Sequence, residues 1–286
     1  MELKLKTVST NDYSSLSNDI ELLLSKKIDL IKLEAFVNLT EIGSIFNTIN
    51  RGLDNFNKVK LDIPDGFFYP APYSTVQGED LHANEVLKNY FKNSFFFNDG
   101  FSSNELGNIH KWYIKKLEEK FNIKLVNLKT EFGLEFAKLN LRILQTGKNG
   151  IDIHCENAFI HQLIPSFSNW LKSKIDLENS LSVFTVIQPA AIGGELFVYN
   201  IDWERFKHKL NDSTYEERHD IEGSFFKARG ISAPQKTTVA LGVGDTVVFR
   251  AAQIWHAINK IDGLKDRITL GCFLAKGNDN TIYYWS

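Results

Sequence analysis

Up to about residue 130 the apolar positions recur at three- and four-residue intervals, which is the period of a helix with one buried face. The pattern predicts packing helices over 15–29 ("SLSNDIELLLSKKID"), 40–56, 85–93 and 104–122, several of them opening near Ser, Thr or Asn. Between them, "DIPDGFFYPAPYSTVQGED" (62–80) is rich in Pro, Gly and aromatics and predicts an irregular segment over a pocket. From about residue 135 the period shortens. Short β-branched and aromatic runs bounded by Gly, Asn or Asp follow one another: "KLNLRILQT", "GIDIHCENAF", "SVFTVIQ", "GELFVYNI", "TTVALGV", "DTVVFR", "QIWHAINKI", "RITLGCFLA" and "TIYYWS". Eight or nine strands at this spacing predict an all-β half built as a sandwich, jelly roll or barrel. A charged stretch, 202–230, interrupts them and reads as an insertion with helical content, the kind of segment that often forms a lid.

Composition narrows the class. The 286 residues are 43% hydrophobic, enough for an extensive core, and no fixed-period repeat divides them, so one folded unit over 1–286 is expected. Lys and Arg (33) nearly balance Asp and Glu (35), which leaves no basic field for nucleic acid. Two cysteines make no disulfide framework, the opening residues lack the apolar core of a secretory signal, and no run is long enough to span a bilayer. The expected setting is cytoplasmic, away from membranes.

The chemistry concentrates in "IDIHCENAF" (151–159). Side chains two apart on a strand share a face with α-carbons about 6.6 Å apart, so His154 and Glu156 can converge on one ion while Cys155 points away. A single His-x-acid triplet is weak evidence, because 7 His and 35 acidic residues in 286 give roughly 0.9 by chance. The context a hundred residues later strengthens it. His256 ends an apolar strand after a Gly-Asp turn, and Arg267 follows at the start of the next strand. Two His and one carboxylate make the facial triad that suits Fe(II) and leaves adjacent positions open, and a nearby guanidinium pairs bidentately with a carboxylate of a dicarboxylate co-substrate.

On these residues, and on "LRILQTG", "IQPAAIGGELFVYNIDW" and "RITLGCFLA…TIYYWS", the chain resembles the Fe(II)/2-oxoglutarate-dependent oxygenases, and within them the carrier-independent halogenases of hapalindole and welwitindolinone alkaloids. Upstream of residue 130 the resemblance is faint. It implies an α+β fold with a double-stranded β-helix (jelly-roll, cupin-like) core over 135–286 and N-terminal packing helices over 1–134. It also implies Fe(II) on His154, Glu156 and His256, 2-oxoglutarate held by Arg267, O2 as oxidant, and a small organic substrate. In those halogenases a Gly stands at the position of Glu156, and the vacancy is where halide binds iron. A carboxylate there implies hydroxylation, with halogenation, desaturation or epimerisation on the same iron site, or a non-catalytic jelly-roll binding module, as alternatives.

Arg142, on the strand before the metal strand, is a candidate for ordering the co-substrate or an acid near it, against a structural ion pair. Thr269, two after Arg267 on one strand face, is placed to hydrogen-bond the distal carboxylate. Gly193 and Gly194 read as a turn, and Trp255 as packing. His161 has the wrong parity for the metal, and His82, His110, His208 and His219 read as surface histidines. Phe67, Phe68, Tyr69 and Tyr73, with the 202–230 insertion, are the positional candidates for substrate contact.

Overall fold

In the computed structural model, which describes residues 2–9, 16, 18–160, 162–207 and 234–286, most strands of the second half divide between two sheets. Eight of them carry the site and are numbered here in chain order: β1 (Asn140–Leu144), β2 (Ile151–His154), β3 (Leu181–Gln188), β4 (Leu196–Asp202), β5 (Lys236–Val239), β6 (Thr246–Phe249), β7 (Ile254–Ile258) and β8 (Arg267–Lys276). One sheet runs β6-β3-β8-β1 and the other β5-β4-β7-β2, all antiparallel.

The alternation of side chains dictates how the sheets pack. Along β8, Ile268, Leu270, Cys272 and Leu274 face the core under the helices, while Arg267, Thr269, Gly271 and Phe273 face inward and line a cavity shared with the other sheet. Helices Leu39–Phe56 and Ile109–Phe121 cover the outer face with Ile42, Ile45, Ile49, Leu117 and Phe121. Tyr113 reaches through this layer and bonds Thr185 of β3 at 2.8 Å. Leu196, Val198, Phe249 and Ile258 fill the space between the sheets beside the cavity. The result is a mixed helix-and-sheet molecule with the site between the two sheets.

The first half is less helical than its pattern predicts. Leu30–Leu33 extends the large sheet beyond β6, and Leu5–Val8 pairs with it in parallel. The segment expected to be irregular contains a hairpin, Leu61–Ile63 with Gly66–Tyr69, whose second strand pairs with β1. Pro64 sits in its turn and Pro70 just past its end, so the prolines bound the strands instead of breaking them. Gly66 approaches the Ile143 carbonyl so closely that an added Cβ would lie 1.9 Å from it. The β half also holds a helix the pattern missed, Pro165–Lys174, which opens on a proline in its first turn. His110 is buried, not at the surface: it lies between Phe97 and Phe101, and burial lowers its pKa to about 3. Most of the predicted 202–230 insertion, with His208 and His219, and also His161, lie outside the described residues. No helix among the described residues is long and apolar enough to cross a membrane.

Candidate active site

β2 ends at His154, directly across from His256 on β7, and the two imidazole rings lie 4.1 Å apart between centroids. Each ring is oriented in the same way. His154 Nδ1 lies 2.7 Å from the carbonyl of Asp152, and His256 Nδ1 lies 2.9 Å from that of Ile254. With a proton on each Nδ1 donated to the carbonyl, both Nε2 atoms are left as bases aimed at a common point, the arrangement that metal-binding histidines use. Phe249 stands edge-on to His256 at 4.8 Å and restricts its ring.

Glu156 reaches the same point by a different route from the one its spacing predicts. The strand stops at His154, and Glu156 lies in the turn before the short helix Asn157–Ile160, so strand parity does not place it. Its N–H donates to the Ala251 carbonyl at 3.1 Å, and Asn157 Nδ2 donates to the Glu178 carbonyl at 3.0 Å, which fixes the turn from both sides. The extra methylene of Glu over Asp lets the carboxylate reach back from the turn. One ligand atom from each of His154, Glu156 and His256 lies within 4.8 Å of the others. Cys155 points the other way, into a cluster with Trp255, Trp203 and Tyr199.

The electrostatics fit a cation. Burial lowers the His154 pKa to about 4 and that of His256 well below its ordinary value, so both rings are neutral at pH 7 and free to ligate. Burial raises the Glu156 pKa to about 7, against the pull of Arg142. Two neutral imidazoles and a carboxylate that desolvation disfavours form a donor set whose missing charge a divalent metal would supply.

The same cavity holds the anion-binding candidates. Arg267, 2% exposed, has its Nη2 buried without a hydrogen-bond partner among the described residues, and its guanidinium lies 5.3 Å from the Phe184 ring. Burial, with Arg142 adding to it and Glu195 opposing, lowers its pKa to about 9, which keeps it charged at neutral pH. Thr269 projects from the same face of β8 and is directly across from Arg142 on β1. Arg142 lies over the Phe68 ring at 4.4 Å with its Nε buried and without a hydrogen-bond partner among the described residues; burial lowers its pKa to about 10, against the pull of Glu156. Two buried guanidinium groups with unused donors beside a threonine hydroxyl can take a carboxylate. Gly193 and Gly194 both take positive φ, but Gly193 pairs with Ile261 in a short two-stranded ladder in place of the predicted turn. Gly194 also makes room for the site, since an added Cβ would lie 3.0 Å from Arg267 Cδ.

Of the aromatic candidates, Phe68 supports Arg142, and Tyr73 is fully buried close enough to Glu156 for the carboxylate to help raise its pKa, although burial is the larger cause. Tyr69 instead packs into the helix-covered core with Phe56 and Phe67. Trp255 is buried on the face of β7 away from His154 and Glu156, as expected. Sequence reasoning missed Asn140, Ser182, Phe184 and Phe273, which also line the cavity. The alternation of β1, β3 and β8 was the available signal, because these positions share faces with Arg142 and Thr269.

The crystal structure of an N-substituted L-amino acid dioxygenase from Burkholderia ambifaria AMMD superposes with a TM-score of 0.64 at 16% identity, covering 95% of this chain and 91% of that one. The structure of the dioxygenase described in complex with alpha-KG, from the same organism, gives 0.62 at 15%, covering 94% and 91%. At this identity the likeness is one of fold. None of the curated protein sequences matches the chain. Residues 3–286 match the family described as carrier-protein-independent halogenase WelO5. The match takes in nearly the whole sequence, and the chain therefore belongs to that family, within the Fe(II)/2-oxoglutarate-dependent oxygenases.

Proposed function

We propose that this oxygenase hydroxylates an unactivated C–H bond of a small organic molecule, with His154, Glu156 and His256 as the iron ligands. The observation that carries the reading is the Glu156 carboxylate, which stands with the two imidazoles within 4.8 Å at the third ligand position. The strand order, β6-β3-β8-β1 in one sheet and β5-β4-β7-β2 in the other, supports a double-stranded β-helix core in one oxygenase domain over 1–286.

When bound, iron, 2-oxoglutarate and O2 supply the oxidation: the keto acid becomes succinate and CO2 while one oxygen atom enters the substrate C–H bond. The residues of the chain do the rest. His154 and His256 present Nε2 because the Asp152 and Ile254 carbonyls hold the Nδ1 protons. Arg267 receives the far carboxylate of 2-oxoglutarate through its unused Nη2, with Thr269 beside it as a hydroxyl donor. Arg142 faces Glu156 and favours its ionised form. Phe184, Phe249 and Phe273 line the cavity and exclude water from it. Near-neutral charge supports a small substrate over a polyanionic one.

Family membership favours a second reading, halogenation. Halide needs a free position on the iron, and a bound carboxylate at Glu156 removes it. The test is a screen of small alkaloids, amino-acid derivatives and nucleosides for substrate-triggered succinate formation in high chloride, with products identified by mass spectrometry. Hydroxylated product, abolished by His256→Ala, is expected. A chlorinated product from the unmodified enzyme overturns the hydroxylase assignment.

A further inference from the structure

Far from the iron ligands, the hairpin tip 129–135 stands beside helix Ala83–Gly100 and leaves large apolar side chains in solvent. Phe132 is 84% exposed and Leu134 49%, and Phe95 on the helix is 69% exposed. The tip is built, not frayed: Thr130 N donates to Leu134 O at 2.9 Å, Leu134 N donates to Thr130 Oγ1 at 3.1 Å, and Gly133 takes the positive φ of the turn. Between this projection and the helix runs a groove of about 640 Å³, walled by Phe132, Leu134 and Phe95 on the exposed side and by Phe91, Phe167 and Trp170 beneath. Its floor is closely packed, since Phe136, Phe167 and Trp170 form a triangle of near-parallel rings with centroids 6.0, 5.9 and 6.3 Å apart, and Phe91 meets Phe136 edge-on at 5.2 Å. A knob and a hole lie side by side on one face.

The charges are arranged in the same way. Lys88, Lys92 and Glu131 all line the groove, Glu131 on the tip side next to Phe132, and none of the three is in an ion pair among the described residues. A patch that carries an apolar projection, a groove and unpaired charges of both signs can be complementary to itself under a two-fold rotation. With about 200 Å² for a phenylalanine, Phe95, Phe132 and Leu134 expose on the order of 350 Å² of apolar surface. That is near half of the roughly 800 Å² per partner that a stable interface buries, before the groove and lysine stems are counted.

We propose that this face is the interface of a two-fold homodimer, in which Phe132 of each chain enters the groove of the other and Glu131 pairs with Lys88 and Lys92 across the axis. None of these residues lines the metal cavity, so the proposal stands apart from the hydroxylase reading.

Sedimentation equilibrium of the full chain tests it. Wild type is expected at the mass of two chains and Phe132→Glu at the mass of one, each with unchanged circular dichroism. The sharper arm uses charge reversal. Glu131→Lys alone sets like charges against each other across the axis, and so does Lys88→Glu with Lys92→Glu. Both are expected to be monomeric, yet an equimolar mixture of the two proteins restores complementary charges at both contacts and is expected to dimerise. A single-chain mass for the wild type overturns the proposal, including the case in which the face binds a different protein. A Phe132→Glu dimer, or a mixture that stays monomeric, overturns it as well.

Discussion

At the scale of single residues, the account turns on how a carboxylate is held where burial disfavours its charge. The Glu156 pKa, raised to about 7 from its ordinary value of 4.5, means that the folded metal-free protein keeps a proton that the unfolded chain has already lost. Its contribution therefore weakens the metal-free fold as pH rises from about 4.5 to about 7. Fe(II) must displace that proton, so its affinity should rise roughly tenfold per pH unit below pH 7 and level off above it. Glu156→Gln should bind more weakly and lose that slope, and anaerobic calorimetric titration across pH 5.5–8 checks both. Glu156→Gly would vacate the position that the resembling halogenases leave to halide. Chlorine transfer also needs donors for the anion and a geometry that favours it over hydroxyl transfer, so the variant should lose most hydroxylation and gain little or no chlorination, as product mass spectrometry would read. The residue types at 154, 156, 256 and 267 were legible in the sequence because metal and carboxylate chemistry restrict the choice so strongly. The route by which Glu156 arrives was not legible, because a hydrogen bond to Ala251, 95 positions away in the chain, ends the strand early.

At the scale of elements, the turns around the cavity hold the ligating groups in place. Gly194 has φ +75°, and a Cβ there would press on Arg267 Cδ, Ala190 and Ile261 at 3.0–3.1 Å. Gly194→Ala should raise the KM for 2-oxoglutarate several-fold through displacement of Arg267 and destabilise the fold by about 1 kcal/mol through backbone strain. Steady-state succinate formation and urea denaturation read these separately. On the opposite side, the turn that follows β6 carries the Ala251 carbonyl, and Arg250 anchors that turn to Asp29 through an Nη1–Oδ1 bond of 2.6 Å with both groups about 4% exposed. Asp29→Ala leaves a buried guanidinium short of its partner and should cost about 3–5 kcal/mol in urea denaturation. Strand period was readable wherever one face is buried and the other lines the cavity, as in β8. It failed at Leu30–Leu33 and Gly66–Tyr69, whose strand character comes from pairing with β6 and β1 across long separations.

At the scale of the molecule, two sheets and a helical layer bring together residues from β1, β2, β7, β8 and the turn after β2, so the site exists only in the assembled fold. The mixture of helices and sheets was visible in the sequence, because the hydrophobic period changes along it from helical to strand-like, although Leu5–Val8, Leu30–Leu33, Leu61–Ile63 and Gly66–Tyr69 of the large sheet lie in the stretch that read as helical or irregular. The projecting tip at Phe132 was not, since exposure of an apolar residue depends on its neighbours in space. Whether Glu156 occupies an iron position is read by anaerobic crystallography with Fe(II), 2-oxoglutarate and bromide, because bromide scatters anomalously and marks any halide on the metal. The account predicts iron bonded to His154, Glu156 and His256 at roughly 2.0–2.2 Å, with 2-oxoglutarate reaching Arg267 and no bromide peak in the coordination sphere. A bromide peak bonded to the iron, with the Glu156 carboxylate turned away from it, would contradict the account.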